Sequence, residues 1–171
     1  MPKNAVEDHG APVLPRRDAQ IKVLFVCTAN VCRSPMAEAI FNALAQDKGL
    51  PWKAASAGVE ALVGKPISPR AGSVLEEIGV PLNGHRARQV SADMLDEADL
   101  TLAMTADHAS TLRRLSESSS EKVHTLTAFA IGGADEDIPD PYGQSVIIHR
   151  ASVRQLLGYL EEVMVRIGRG R

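Results

Sequence analysis

Apolar residues form four short runs along the chain, and segments with helical spacing lie between and after them. The four runs, which we predict to be β-strands, cover residues 21–26, 52–57, 99–104 and 123–126. Helices are predicted to begin at Ser34, Ser68, Ser91 and Thr105, and a long helix is predicted near the end of the chain. Strands that alternate with helices form a parallel sheet with right-handed crossovers. The pattern therefore predicts an α/β fold, whose ligands bind at the carboxyl ends of the strands.

The pattern also makes two local predictions, for the helix that begins at Ser68 and for residues 116–120. In the helix that begins at Ser68, the spacing predicts that Val74, Leu75 and Ile78 face the core and that Gly79 ends the helix. Residues 116–120, which are mostly serine, are predicted to be a loop.

The composition is that of a single globular domain. The chain has 171 residues, 44% of them hydrophobic, which is enough for a sizeable core. A net charge of −2 and an aromatic content of 4% argue against a nucleic-acid partner. No apolar run approaches the roughly 18 residues of a membrane span. We expect residues 1–19, which contain three prolines and no periodicity, to be a flexible tail and residues 20–171 to be the domain.

The cysteines and the N-terminus bear on the cellular compartment. Cys27 and Cys32 lie five positions apart, so they cannot link distant parts of the fold as the disulfides of secreted domains do. The N-terminal residues lack the apolar stretch of a secretory signal. We therefore expect a cytoplasmic protein, with a monomer as the simplest assembly.

The segment after the first strand carries the candidate chemistry. The strand stops at Cys27, and Arg33 follows six residues later, just before Ser34 and Pro35 open a helix. A loop that joins a strand to a helix N-terminus directs several free N–H groups at one point, where the helix dipole adds positive charge. Because this field and Arg33 both favour an anionic sulfur, Cys27 is predicted to be a nucleophile. Such a thiolate, surrounded by N–H donors and a guanidinium, suits attack on a phosphoryl group.

The loop C-T-A-N-V-C-R-S-P, residues 27–35, follows V-L-F-V and precedes M-A-E-A. It resembles the signature loop of the low-molecular-weight protein tyrosine phosphatases of bacteria. The resemblance implies a single-domain, three-layer sandwich with a four-stranded parallel sheet and helices on both faces, as in flavodoxin and Rossmann-like folds. It also implies an enzyme that removes phosphate from phosphotyrosine in a protein substrate. A phosphocysteine would form on Cys27, and Arg33 would bind the phosphate, without a cofactor or metal.

The resemblance also points to a general acid. An ester that loses its phosphoryl group leaves an oxyanion, which a carboxylic acid at the rim of the site could protonate. The family carries this acid in Asp-Pro-Tyr or Asp-Pro-Phe before the last helix, where Asp140, Pro141 and Tyr142 stand in this chain. Asp140 is thus the predicted general acid and base, and Tyr142 the predicted wall of the substrate pocket. Leu62 is expected to form the wall of the pocket opposite Tyr142. For Asp140, the competing interpretation is an ordinary Asp-Pro turn without a catalytic role.

The remaining loop residues are assigned through the same resemblance. The residues expected to bind the phosphate through this loop are Thr28, Ala29, Asn30, Val31 and Cys32. Asn30 tolerates a left-handed backbone, which would curl the N–H groups inward. Asn30, Ser34 and His85 are expected to support the loop by hydrogen bonds, and Ser34 to reach the nucleophile. Ala29 stands where the family usually has glycine. Cys32 is either a packing residue or a redox guard that pairs with oxidised Cys27.

Three other functions compete with the tyrosine phosphatase hypothesis. Protein arginine phosphatases resemble this loop but carry threonine at the position of Val31, where an apolar side chain favours an aryl phosphate. An arsenate reductase would pass oxidation on to further cysteines, and no cysteine follows Cys32. The third alternative is a non-catalytic module that binds phosphate or senses redox state.

Overall fold

The computed structural model describes residues 18–133 and 135–170, and within them four parallel strands form one sheet in the order β2-β1-β3-β4. The strands are β1 (Ile21–Cys27), β2 (Trp52–Gly58), β3 (Leu100–Ala103) and β4 (Val123–Thr125). The helices are α1 (Arg33–Asp47), α2 (Pro69–Glu77), α3 (Ala92–Glu97), α4 (Ala106–Leu115), α5 (Leu126–Ile131) and α6 (Val146–Gly168), with a 3-10 helix at Glu117–Lys122. The predicted fold class is confirmed.

Strand β1 lies inside the sheet and is buried on both faces. Val23, Phe25 and Cys27 pack into one core with residues of α1 and α6. Leu24 and Val26 pack into a second core with residues of α3 and α4. The two-residue alternation of a strand thus sends successive side chains into different layers. This explains why β1 reads in the sequence as a continuous apolar run, as is typical of parallel strands covered by helices on both sides.

The sheet order places the end of β1 where α/β folds bind ligands. The chain passes from β1 to β2 on one side, then crosses back to β3 on the other side of β1. Ligands of such sheets bind outside the carboxyl ends of the strands, at the point where the order reverses. Cys27, the last residue of β1, lies at this point and is paired with Gly58 of β2.

Three local predictions were wrong. Residues 116–120, predicted to be a loop, lie mostly in the 3-10 helix. The strand predicted at residues 123–126 ends at Thr125, because the Thr125 side chain accepts a hydrogen bond from the Ala128 N–H and caps α5, a helix too short to show periodicity. Ile78, expected in the core, is 47% exposed, since α2 ends one residue before it.

The predicted tail, residues 1–19, falls mostly on residues 1–17, which lie outside the described residues. The division of the chain into a tail and a domain therefore stays a prediction. No helix in residues 18–133 and 135–170 is long and apolar enough to cross a membrane.

The end of β2 holds the loop that follows β1. Three backbone N–H groups located just after β2 donate to the carbonyl oxygens of residues 27–29 at 2.9–3.0 Å. Gly58 permits this approach, because a Cβ atom at its position would lie 2.4 Å from the Thr28 carbonyl oxygen. That oxygen belongs to the backbone and cannot move aside without displacing the loop. Gly58 is therefore needed for the loop position, although it was not among the predicted site residues.

We expect Gly58→Ala to lower the free energy of unfolding by about 1–3 kcal/mol, because the added methyl group forces two backbone segments apart. Gly158 of α6 supplies the matched control, since a Cβ atom there meets nothing within 4 Å. Gly158→Ala should raise the free energy of unfolding by about 0.5–1 kcal/mol, the usual gain for a helix interior. Urea unfolding measures both values, and an unchanged stability of Gly58→Ala would contradict the close approach.

Candidate active site

The loop between β1 and α1 turns its carbonyl oxygens outward. Each carbonyl from residue 27 to residue 32 accepts a hydrogen bond. The donors are the backbone N–H groups of Val59, Glu60, Leu62, Ser68 and Met36 and the ring of His85. In contrast, the N–H groups of residues 28–33 donate to no backbone oxygen in the described part of the chain. Since buried N–H groups are nearly always paired, this set of donors is available to an anion.

Asn30 fixes the shape of this loop. It is fully buried and has φ of 59°, in the left-handed region. Its Nδ2 donates to Ser34 Oγ at 2.9 Å and to Ser56 Oγ at 3.0 Å. Its Oδ1 accepts from the Arg88 N–H at 3.0 Å, and its carbonyl accepts from His85 Nε2 at 2.8 Å. These four hydrogen bonds offset the cost of the left-handed backbone and bring the three predicted supporting residues together.

The sulfur of Cys27 faces a hydroxyl donor. Ser34 Oγ lies 2.9 Å from Cys27 Sγ. Because Asn30 donates to Ser34 Oγ, the hydroxyl hydrogen is free to point elsewhere, and the sulfur is closer than the other acceptor, the Ala57 carbonyl at 3.3 Å. Cys27 also lies beside the N-terminus of α1, which begins at Arg33. Ser34 can thus donate a hydrogen bond to the sulfur, and the N-terminus of α1 adds partial positive charge beside it.

Two members of this network were not identified from the sequence. Ser56 of β2 accepts from Asn30 and donates to Glu38 Oε2 at 2.6 Å. Glu38 follows Ser34 by one turn of α1, so both side chains lie on the same side of the helix. The four-residue spacing of Ser34 and Glu38 in α1 was the one sequence pattern that could have identified Glu38 as part of the network. No sequence pattern pointed to Ser56.

The guanidinium of Arg33 is held from two sides. It is 5% exposed, its Nη1 donates to the Ile138 carbonyl at 2.9 Å, and its Nη2 donates to Thr28 Oγ1 at 3.3 Å. Its Nε is buried and finds no partner among residues 18–133 and 135–170. A fixed, planar cation with a free donor can bind the oxygens of a phosphoryl group.

Asp140 lies at the rim of the same site. Its Oδ2 is 3.4 Å from Arg33 Nη2, and its Oδ1 accepts from the Tyr142 N–H at 3.1 Å. The Asp140 side chain is 48% exposed, so it can exchange protons with water. Tyr142 and Leu62 are also largely exposed, and the Leu62 N–H donates to the Ala29 carbonyl. The structure thus brings a carboxylate to the loop, with an aromatic and an aliphatic side chain at the surface.

The other loop residues have simpler positions. Ala29 does not have a positive φ, because Asn30 is the one non-glycine residue with a positive φ in the described ranges. Alanine therefore fits where the family usually has glycine. Val31 is 4% exposed. Cys32 is buried, and burial raises the pKa of its thiol to about 12, so Cys32 is neutral at physiological pH. Both cysteines are free thiols.

In the chain as described, no group of three or more His, Cys, Asp or Glu side chains is arranged to hold a metal ion. Arg33 and the N-terminus of α1 both place positive charge at the loop.

Known phosphatases are similar to this chain in sequence. A family model described as low molecular weight phosphotyrosine protein phosphatase matches residues 22–169. The low molecular weight protein-tyrosine-phosphatase of Streptomyces coelicolor is 43% identical over 128 residues, or 71% of this chain and 77% of that protein. The protein-arginine-phosphatase of Bacillus subtilis is 34% identical over 149 residues, or 87% of this chain and 98% of that protein.

Solved structures agree with the fold. The low molecular weight protein tyrosine phosphatase from T. tengcongensis has a TM-score of 0.81 and 39% identity, with 85% of this chain and 98% of that chain covered. A mutant of the YwlE arginine phosphatase with a phosphorylated active site serine has a TM-score of 0.84 and 33% identity, with 88% and 98% covered.

We expect Asn30→Gly to abolish the stabilisation of the protein by inorganic phosphate. Glycine keeps the left-handed backbone but removes the amide that orders Ser34 and Ser56. The measurement is the rise in the thermal midpoint with phosphate concentration, which reports binding to the folded state.

Asn42 is the matched control, because its amide also ties α1 to β2, through both backbone groups of Ala54 at 2.8 and 3.1 Å. Asn42→Ala should cost about 1–3 kcal/mol of stability and keep the full response to phosphate. An undiminished phosphate response in Asn30→Gly would show that the Asn30 amide does not shape the anion site.

Proposed function

Because the chain belongs to the low molecular weight phosphotyrosine protein phosphatase family, we propose that it hydrolyses protein phosphotyrosine through a phosphocysteine on Cys27. The family resemblance predicted from the loop sequence is confirmed. One observation carries the proposed chemistry: the N–H groups of residues 28–33 donate to no backbone oxygen within the described ranges, and they belong to the loop that begins at the sulfur facing Ser34. Such a set of donors is complementary to the oxygens of a phosphoryl group.

In the first step, the anionic sulfur of Cys27 attacks phosphorus in line with the ester oxygen. The S–P bond forms as the P–O bond to the tyrosine ring breaks. The loop N–H groups and Arg33 bind the three equatorial oxygens, whose charge they stabilise in the transition state. Asp140, in its acid form, donates a proton to the departing phenol oxygen.

In the second step, water hydrolyses the phosphocysteine. Asp140, now a carboxylate, takes a proton from the water as its oxygen attacks phosphorus. The S–P bond breaks, inorganic phosphate is released, and the sulfur returns to its anionic form. The Ser34 hydroxyl, 2.9 Å from the sulfur, stabilises the thiolate as the leaving group of this step.

The substrate preference rests on the apolar character of the loop. Val31 offers no side-chain hydrogen bond to a polar leaving group, and Tyr142 at the rim can pack against a flat ring. Both features suit phosphotyrosine. Protein arginine phosphatase activity is the second candidate, because the arginine phosphatase of Bacillus subtilis is 34% identical over 98% of its length.

We expect Cys27→Ser to abolish turnover of para-nitrophenyl phosphate, and Asp140→Asn to lower kcat about 10²–10⁴-fold, the usual contribution of a general acid. The loss in Asp140→Asn should be larger for phenyl phosphate, because its leaving group is more basic and depends more on protonation. Steady-state kinetics with the two esters measures both effects.

Glu136→Gln is the control for that experiment, since Glu136 is an exposed carboxylate of the same segment. Its backbone carbonyl accepts a hydrogen bond from Thr127, and the substitution leaves that carbonyl in place. Its kinetics should match the wild type. Equal losses for both esters in Asp140→Asn would argue against protonation of the leaving group by Asp140.

We expect a phosphotyrosine peptide to have a higher kcat/KM than the same peptide with phosphoarginine. Val31→Thr adds a hydroxyl that can hydrogen-bond a guanidinium, so it should shift the ratio of the two kcat/KM values toward phosphoarginine by about tenfold or more. A wild-type preference for phosphoarginine would replace the tyrosine assignment with the arginine phosphatase.

A further inference from the structure

A buried histidine of α4 contacts the loop through Thr28. His108, the third residue of α4, is 7% exposed, and its Nε2 lies 2.8 Å from Thr28 Oγ1. The same oxygen accepts a hydrogen bond from Arg33 Nη2 at 3.3 Å. The Nδ1 of His108 is buried and has no partner within the described residues. Neither His108 nor the Thr28 hydroxyl has a part in the two chemical steps above.

The charge of this imidazole follows from its surroundings. Burial, and next the positive charge of Arg33, lower the pKa of His108. Asp137, Asp107 and Asp140 act in the opposite direction, with smaller effects. The imidazole is therefore neutral at physiological pH and carries its hydrogen on one of its two nitrogens.

The hydrogen bonds favour the hydrogen on Nε2. If Nδ1 carried it, a buried N–H group would be left unpaired, which is the costlier arrangement. With the hydrogen on Nε2, His108 donates to Thr28 Oγ1, and only a bare lone pair is left at Nδ1. Thr28 Oγ1 then accepts from both His108 and Arg33, so both of its lone pairs are used. The hydroxyl hydrogen of Thr28 is the one that remains free.

We propose that His108 is a positioning residue that turns the Thr28 hydroxyl hydrogen toward a bound phosphoryl oxygen. The hydroxyl then adds a side-chain donor to the N–H groups of residues 28–33, next to the Arg33 fork. This inference rests on the proposed function, since the oxygen that receives the hydrogen is that of the phosphoryl group. His108 acts through Thr28 and takes no part in proton transfer.

The test measures the affinity of the folded protein for inorganic phosphate by titration calorimetry. His108→Leu and Thr28→Val should each weaken binding about tenfold, the usual effect of one hydrogen bond to a charged group. The double variant should be no weaker than Thr28→Val alone, because His108 has nothing left to orient. His108→Gln, whose side-chain N–H can take the place of Nε2–H, should bind phosphate as the wild type does.

His124→Leu is the matched control, since it removes a second imidazole that packs against Phe129, away from the loop, and it should leave phosphate affinity unchanged. The inference would be overturned if the losses in the double variant were additive, or if His108→Leu bound phosphate as tightly as the wild type. It would also be overturned if His108→Gln folded but did not retain phosphate affinity. If the wild-type protein itself bound no phosphate, the proposed function would fail rather than the role of His108. The activity of His108→Leu toward para-nitrophenyl phosphate distinguishes the two failures further. If this variant hydrolyses the ester and binds phosphate as the wild type does, the proposed role of His108 is wrong while the proposed function stands.

Discussion

The site depends on one buried amide. Asn30 has a left-handed backbone that a residue with a side chain adopts only when its surroundings stabilise it. Here the side chain and the carbonyl of Asn30 make four hydrogen bonds, to Ser34, Ser56, Arg88 and His85. Together with the backbone donors that follow β2, these contacts keep the carbonyls of the loop outward, so that its N–H groups donate to no backbone oxygen within the described residues. This shape leaves the N–H groups available to an anion.

Two hydrogen-bonded chains connect that loop to the rest of the fold. One runs from Glu38 through Ser56 and Asn30 to Ser34 and ends at the sulfur. The other joins α4 to the guanidinium through a histidine and a threonine hydroxyl. The first chain orders the Cys27 sulfur and the second orders the Arg33 guanidinium, so these two groups are positioned by different elements. Such fixed dipoles need no reorganisation when charge develops on the substrate.

The sequence predicted the parts of the site that are local. Cys27, Arg33 and Ser34 lie within eight residues, and the strand and helix on either side have clear periodicity. Asp140, which was assigned through the family resemblance, lies 3.4 Å from Arg33 in the structure, and its role as general acid stays a prediction. The contacts of Ser56 and His108 were missed because they join distant segments: Asn30 to Ser56 spans 26 residues, and Thr28 to His108 spans 80. The contact of His85, which spans 55 residues, was expected only through the family resemblance. Neither a serine in a strand nor a histidine in a helix has a pattern that reveals such a partner.

The central claim is that Cys27 lies under a site for a tetrahedral oxyanion. The most direct measurement is the rate at which iodoacetamide alkylates Cys27, followed by peptide mapping at one fixed pH, with and without inorganic phosphate. The account predicts that Cys27 is alkylated, that phosphate strongly slows its alkylation, and that buried Cys32 stays unmodified. An alkylation rate of Cys27 that saturating phosphate leaves unchanged would contradict it.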